Sequence, residues 1–344
     1  MTEIDLATAI KDIIVDWTLM TTLAQRRSDI SNPATLGAIL GLTVQKSLAL
    51  DDSALDAFRR YLRQSPFVHL KQVFDTSSLV DTPTRFFLVP DTAGTIAGRA
   101  TALAIHGFLQ LETVSYGTEN DGNLFVNLVA LPGSGAFAEK SRRGMRGHTD
   151  GVSFPFNGED DPQNPRIAPS PDLVTLVGLR NFEKVPTKVM PVRDLLPHLS
   201  PADVDELKKP QYSIRSQKTF VQGMKRILGN EHVLIDVPVL KDFAGDTYIR
   251  YSHSNVVPST NEGPAQQASD NLEAACKKVA HSIVIQPGDV LIINNRLSLH
   301  GRGEAGNEIG GQSRWLLRTY ALDAAGLPIH KRHVNGSPPH ILYP

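Results

Sequence analysis

The chain has 344 residues, 41% of them apolar, with 35 Lys and Arg set against 36 Asp and Glu. That length can bury a substantial core, and a formal charge of −1 lacks the basic excess a nucleic-acid partner demands. The single cysteine, Cys276, excludes an internal disulfide and cysteine-rich zinc or iron–sulfur centres, and is expected as a buried structural thiol. No apolar run approaches the roughly 18 residues that span a bilayer, and the acidic N-terminus lacks the basic start of a secretory signal. A soluble, cytoplasmic protein without membrane or nucleic-acid partners is expected.

In chain order, residues 1–65 are helical in pattern. Ile4, Ala7, Ile10, Ile14 and Trp17 recur at three-to-four spacing, and SALDAFRRYLRQ forms a second amphipathic stretch. From about 84 the texture changes to short β-rich runs punctuated by Gly, Pro, Asn and Asp: RFFLVP, then 124–131, 173–179, 232–240, 247–252, 281–286, 289–295 and 314–322. Helical pieces interrupt them at 201–209 and 268–282. The pattern predicts one domain of α+β class, mainly β. Residues 1–80 would be a helical cover, 84–180 and 281–322 the core, and 181–280 an insertion able to act as a lid.

Two segments carry chemistry. GMRGHTDGVSFPF places His148 and Asp150 two apart, and on a strand i and i+2 project from one face, so both can reach one ion while Thr149 points away. Chance alone supplies about one such pair in a chain of this composition, so the pair by itself says little. The second segment, 284–322, holds a Pro287-Gly288-Asp289 turn between apolar strands, then Asn294-Asn295-Arg296, His300-Gly301-Arg302, a glycine-rich loop and Arg314-Trp315-Leu316-Leu317-Arg318.

With LFVNLVALPG upstream of HTDGVSFPF and PDLVTLVGLRN downstream, these blocks resemble the iron(II)/2-oxoglutarate-dependent oxygenases. The similarity is to the clavaminate synthase-like branch of the TauD/TfdA superfamily and covers roughly 85–322. The resemblance implies a double-stranded β-helix (jelly-roll, cupin-like) core with an iron site of His148, Asp150 and His300. Two imidazoles and one carboxylate form a facial triad with open positions. It further implies 2-oxoglutarate as cosubstrate and O2 as oxidant, with succinate and CO2 released and an unactivated C–H bond hydroxylated.

A bidentate guanidinium suits the distal carboxylate of 2-oxoglutarate. The resemblance gives that role to Arg314, and assigns to Thr175 a hydroxyl contact with the cosubstrate. Arg318 shares Arg314's face about 13 Å along the strand at ~3.3 Å per residue. It is open to either the carboxylate of an amino-acid substrate or a structural salt bridge. Gly147 and Gly151 are expected to bend the backbone beside the metal, and VSFPF to form pocket wall. The remaining histidines, with the HKRH group at 330–333, are read as solvated or structural, the latter within a charged tail.

The branch acts mostly on free or carrier-bound amino acids and their derivatives, often in secondary metabolism, so an amino-acid-like substrate, with a carrier protein if it is tethered, is implied. Members acting on arginine-like substrates hold the cation with acidic residues, where this chain has Ser252, His253 and Ser254. Ser252 and Ser254 are therefore substrate-side candidates, and the side chain is expected to be neutral or acidic. Asp150 departs from the branch's frequent Glu but remains a competent ligand, and a carboxylate there argues against a halogenase. The alternatives are a desaturase or cyclising oxidase on the same residues, or a jelly-roll metal-binding or hydrolytic protein without oxygen chemistry. A phosphate-binding loop, a zinc-protease helix and a nucleophile elbow are all missing from the sequence.

Overall fold

The computed structural model describes residues 1–243, 245–260, 262–332 and 337–344. Four helices open the chain: α1 (Glu3–Met20), α2 (Leu23–Ile30), α3 (Pro33–Ser47) and α4 (Asp52–Gln64). Thr2, Thr22 and Asp51 each cap a helix by accepting a hydrogen bond from the backbone N–H of its first turn. The expected apolar stripe is realised, with Ala7, Ile10 and Ile14 buried, whereas Ile4 faces solvent.

A fifth helix, α5 (Ala93–Phe108), has no signal in the apolar periodicity because it is apolar on nearly every side. A helix sealed on all faces carries no stripe to detect. It crosses α3 at glycines: a methyl on Gly41 would lie 2.3 Å from the backbone of Gly107, so the two axes approach as no larger residue permits. RFFLVP, expected as a strand, is irregular, and its Phe86 carbonyl accepts from Asn127 instead of joining a ladder.

The helices cover one face of a seven-stranded sheet, ordered β1 (Phe67–Leu70), β13 (Val290–Asn294), β5 (Leu173–Arg180), β15 (Trp315–Leu322), β2 (Glu112–Tyr116) and β16 (Ile341–Leu342), with β3 (Val126–Leu128) beside β15. All its pairings are antiparallel except β16 with β2. Alternation divides each strand between two cores. On β15, Trp315, Leu317 and Ala321 face the helices, while Leu316, Tyr320 and Leu322 face the opposite way and share a core with Val189 of a second sheet. That sheet is ordered β12 (His281–Ile283), β6 (Thr187–Pro191), β14 (Ser298–Arg302) and β4 (Met145–His148).

Residues 187–191, expected within the insertion, thus form a strand of this second sheet, β6 paired with β14. Beyond it come α7 (Val192–Leu195), α8 (Pro201–Lys208) and α9 (Lys218–Leu228), a sheet of β11 (Val256–Pro258), β7 (Tyr212–Arg215) and β8 (Val233–Val237), the hairpin of β9 (Leu240–Phe243) and β10 (Asp246–Ile249), and α10 (Pro264–Val279). The short α6 (Ala136–Arg142) lies between β3 and β4. Cys276 is a buried free thiol on α10. No helix among the described residues is long and apolar enough to cross a membrane.

The HKRH group is no loose tail where it is described. Lys331 is buried and donates to Asp160 at 2.8 Å, and Arg332 grips Glu112 through both terminal nitrogens. His333 lies outside the described residues.

Candidate active site

His148 ends β4 and is the antiparallel partner of His300 on β14. Cross-strand partners on one face stand close, and the two ring centroids are 4.4 Å apart. His148 Nδ1 lies 3.0 Å from the Arg146 carbonyl. A proton on that nitrogen directs the lone pair of Nε2 into the pocket. Burial, then the neighbouring His300, pushes the His148 imidazole down to about 3, so it is neutral and ready to ligate at physiological pH.

Asp150 lies beyond the strand, so more than strand alternation aims it. Its N–H donates to Asn295 Oδ1 (2.9 Å), and Asn295 Nδ2 donates to the carbonyls of Asp150 (2.9 Å) and Pro171 (3.0 Å). Gln217, next to α9, accepts from the N–H of Gly151 (3.0 Å) and donates to the Thr149 carbonyl (3.2 Å) and to Asp150 Oδ1 (3.5 Å). Gly151 supplies the bend at φ +63°, as its position suggested. Burial would raise the Asp150 carboxyl, but His300, Arg318 and His148 outweigh it and hold the group ionised. One nitrogen from each imidazole and one Asp150 oxygen lie within 4.8 Å of one another, a donor set that fits a divalent ion on one side and leaves its other positions open.

Arg314 lines the same pocket of about 150 Å³ and is 4% exposed. Its guanidinium has no hydrogen bond or ion pair among the described residues, and its Nε is buried without a partner. Burial, then the like charge of Arg302, pushes it down to about 9. A buried cation left unpaired is costly, and a bound carboxylate would complete it.

Arg318 also lines the pocket, with Nη2 2.7 Å from Glu119 Oε2 and Nη1 3.7 Å from Asp150 Oδ2. Burial opposes its charge, but Glu119, Tyr320 and Asp150 outweigh burial and hold it protonated. Arg318 therefore both faces the pocket and is salt-bridged. Glu119 accepts from Tyr320 Oη at 3.0 Å, and its Oε1 is buried without a partner.

Three expected positions fall outside the pocket. Thr175 sits on the odd-numbered face of β5, towards the helices, and its hydroxyl is 2.8 Å from His106 Nε2 on α5. The β5 residue lining the pocket is Leu176. A strand reverses its face at every residue, so a one-residue error of alignment sends a side chain into the wrong layer. A threonine does line the pocket, Thr187 on β6, directly opposite Arg302. Ser252 is bridged through its backbone to His148 while its hydroxyl turns to Asn255, and Ser254 is exposed and bonds the same Asn255. VSFPF packs into the interior instead of walling the pocket, with Phe154 against Tyr116 and Phe220 and Phe156 under Arg250.

Sequence reasoning missed Asn295, Gln217, Glu119, Thr187 and Lys140. Asn295 lay inside a motif already quoted. The others are ordinary polar residues with no local signal, recruited by folding.

A family model for the taurine catabolism dioxygenase TauD, TfdA family matches residues 194–320. An L-asparagine oxygenase from Streptomyces coelicolor is 28% identical over 206 residues, covering 59% of this chain and 56% of that protein. An L-lysine 3-hydroxylase from Catenulispora acidiphila is 26% identical over 165 residues, covering 47% and 44%. The chain thus spans about half the length of the curated relatives it matches. The fold is shared with an asparagine oxygenase solved with Fe(II), 3-hydroxyasparagine and succinate (TM-score 0.67, 22% identity, 92% of this chain and 97% of that one). It is shared too with the non-heme iron oxygenase OrfP solved with Fe and alpha-ketoglutaric acid (TM-score 0.68, 19% identity, 98% and 97%). Family model, relatives and fold thus point one way: around a His148–Asp150–His300 cluster, this chain is similar to the TauD, TfdA family over residues 194–320 and to amino-acid oxygenases in its fold.

Proposed function

We propose that this protein is an iron(II)- and 2-oxoglutarate-dependent oxygenase that hydroxylates a C–H bond of an amino acid or amino-acid derivative, acting in the cytoplasm as a single domain around a jelly-roll core. The observation that carries the reading is the unpaired, buried guanidinium of Arg314 in the same pocket as the metal-ligand cluster. Neither hydrolysis nor simple metal storage calls for a buried cation there. A cosubstrate with a second carboxylate does.

In this reading His148, Asp150 and His300 hold Fe(II) on one side, and Arg314, with Thr187 nearby, receives the distal carboxylate of 2-oxoglutarate. Bound iron with 2-oxoglutarate and O2 supplies the oxidising power for C–H cleavage. The chain's own residues position the substrate. Arg318 presents a cation to the pocket 3.7 Å from Asp150, held in place by Glu119 and matched to the carboxylate of an α-amino acid. Leu128, Val129, Met145 and Leu176 keep water from the reacting centre. The relatives named above for asparagine and lysine support a free amino acid over a carrier-bound one.

The test is anaerobic addition of Fe(II) and 2-oxoglutarate, read as a weak visible charge-transfer band, followed by succinate release with an amino-acid panel. A band together with succinate release stimulated by an amino acid is expected. A wild-type protein without the band defeats the oxygenase reading.

A further inference from the structure

The pocket holds more positive charge than the proposed cosubstrate can use. Its lining includes Lys140, Arg302, Arg314 and Arg318, and the single acid among the lining residues is Asp150. Under the oxygenase reading, Asp150 belongs to the metal, Arg314 to 2-oxoglutarate, and Arg318 is balanced by Glu119. Lys140 and Arg302 are left. Arg302 spends one nitrogen on the carbonyls of Lys140 (3.2 Å) and Arg143 (2.9 Å), which anchors the C-terminal end of α6 to the strand that carries His300. Lys140 projects from that anchored helix, and its ammonium has no hydrogen bond or ion pair among the described residues.

Beyond this pocket lies a second cavity of about 630 Å³, sharing Phe86, Asn120, Phe137 and Thr219 with the first. Its charged lining is Lys218, Arg226 and Asp121, and Asp121 is taken by Arg226 at 3.2 Å. Lys218, at the start of α9, also lacks a partner among the described residues. It lies near enough to Lys140 for the two charges to repel, and Lys140 also feels Asp150 and Glu119 deeper in the site. Two unpaired ammonium groups on separate helices therefore flank the passage between the chambers, in a protein whose net charge is −1. A cationic side chain reaching this passage would meet two like charges, and the nearby acids are already engaged, Glu119 by Arg318, Asp121 by Arg226 and Asp150 in the metal-ligand cluster. An anionic one would relieve their repulsion.

We infer that the substrate is an α-amino acid whose side chain ends in an anion, a carboxylate or a phosphate, held at the passage by Lys140 and Lys218. The inference rests on the oxygenase reading, and the experiment separates the two. Succinate release is measured with glutamate, 2-aminoadipate and O-phosphoserine against glutamine, norleucine, lysine and arginine. An anionic member should give the highest kcat/KM, with the carboxylate and phosphate arms telling the two termini apart. Lys140→Gln and Lys218→Gln should each raise the KM for that amino acid by roughly five-fold, and added salt should raise it in wild type. Lys140→Glu should shift preference towards lysine or arginine. Loss of the Fe(II)–2-oxoglutarate band from wild type would remove the oxygenase reading itself. A normal band with neutral or cationic amino acids preferred, or with no response to any anionic member, overturns this inference alone. So do lysine variants with unchanged KM.

Discussion

Asn295 holds the backbone of Asp150 from both sides, accepting from its N–H at 2.9 Å and donating to its carbonyl at 2.9 Å. One buried amide thus fixes the peptide on either side of the Asp150 Cα, and with it the direction of the carboxylate. Asn295→Ala leaves that N–H and two carbonyls unsatisfied, and should cost about 1–3 kcal/mol of stability by thermal or denaturant unfolding. Binding of Co(II), followed by its visible d–d bands, should weaken as well. Asn295→Asp keeps the acceptor but loses both donors and adds a negative charge, so it should not restore the wild-type spectrum. A wild-type Co(II) affinity in Asn295→Ala would show that the loop holds its shape unaided.

Gln217 performs the complementary task on the neighbouring peptides, and its Nε2 also reaches Asp150 Oδ1. An oxygen engaged by an amide is less available to any cation the cluster would hold. Gln217→Glu should keep the bond from Gly151 N–H while setting a second carboxylate beside Asp150. The expected outcome is an altered Co(II) spectrum with little loss of melting temperature, and an unaltered spectrum would assign Gln217 to folding alone.

Arg314 offers a test in which stability and binding move in opposite directions. Removing an unpaired buried charge relieves a desolvation cost, so Arg314→Met should raise the melting temperature of the ligand-free protein by about 2 °C. The same variant should lose the thermal shift that 2-oxoglutarate gives wild type in the presence of metal. Arg314→Lys keeps the charge without the planar fork and should weaken cosubstrate affinity by about tenfold or more. Retention of the 2-oxoglutarate shift in Arg314→Met would place the cosubstrate elsewhere.

Thr175 and His106 form a structural pair, and their variants should leave 2-oxoglutarate affinity as it is. Thr175→Val strips a buried imidazole nitrogen of its partner and should cost about 1–3 kcal/mol in unfolding.

The same histidine predicts a pH dependence. Burial holds His106 down to about 3, against about 6.5 in an unfolded chain, so the unfolded state binds the extra proton between those values. Its contribution is present in full above pH 6.5 and is lost as pH falls towards 3, by up to about 1.4 kcal/mol per pH unit. Stability of metal-free His106→Gln should therefore fall less steeply from pH 6.5 to 4.5 than that of metal-free wild type. Equal slopes would mean that the imidazole is not buried neutral.

The amino-acid sequence by itself pointed to the candidate ligand set and to a mixed α and β fold. His148, Asp150, His300 and Arg314 were legible because they sit in short blocks that resemble those of a known oxygenase family, and folding brings all four to one pocket. The N-terminal stripe was legible from its period of 3.6 with one side buried. Only the tertiary structure decided the rest. It turned Thr175 to the helices and Thr187 to the pocket, because one residue of strand register exchanges the layers. It hid α5, whose apolar residues are buried all round and leave no stripe to read. It brought Gln217 and Lys140 to the pocket, and Glu119 to Arg318, from elements that local sequence leaves unmarked, since a polar side chain gains its role from what folds against it.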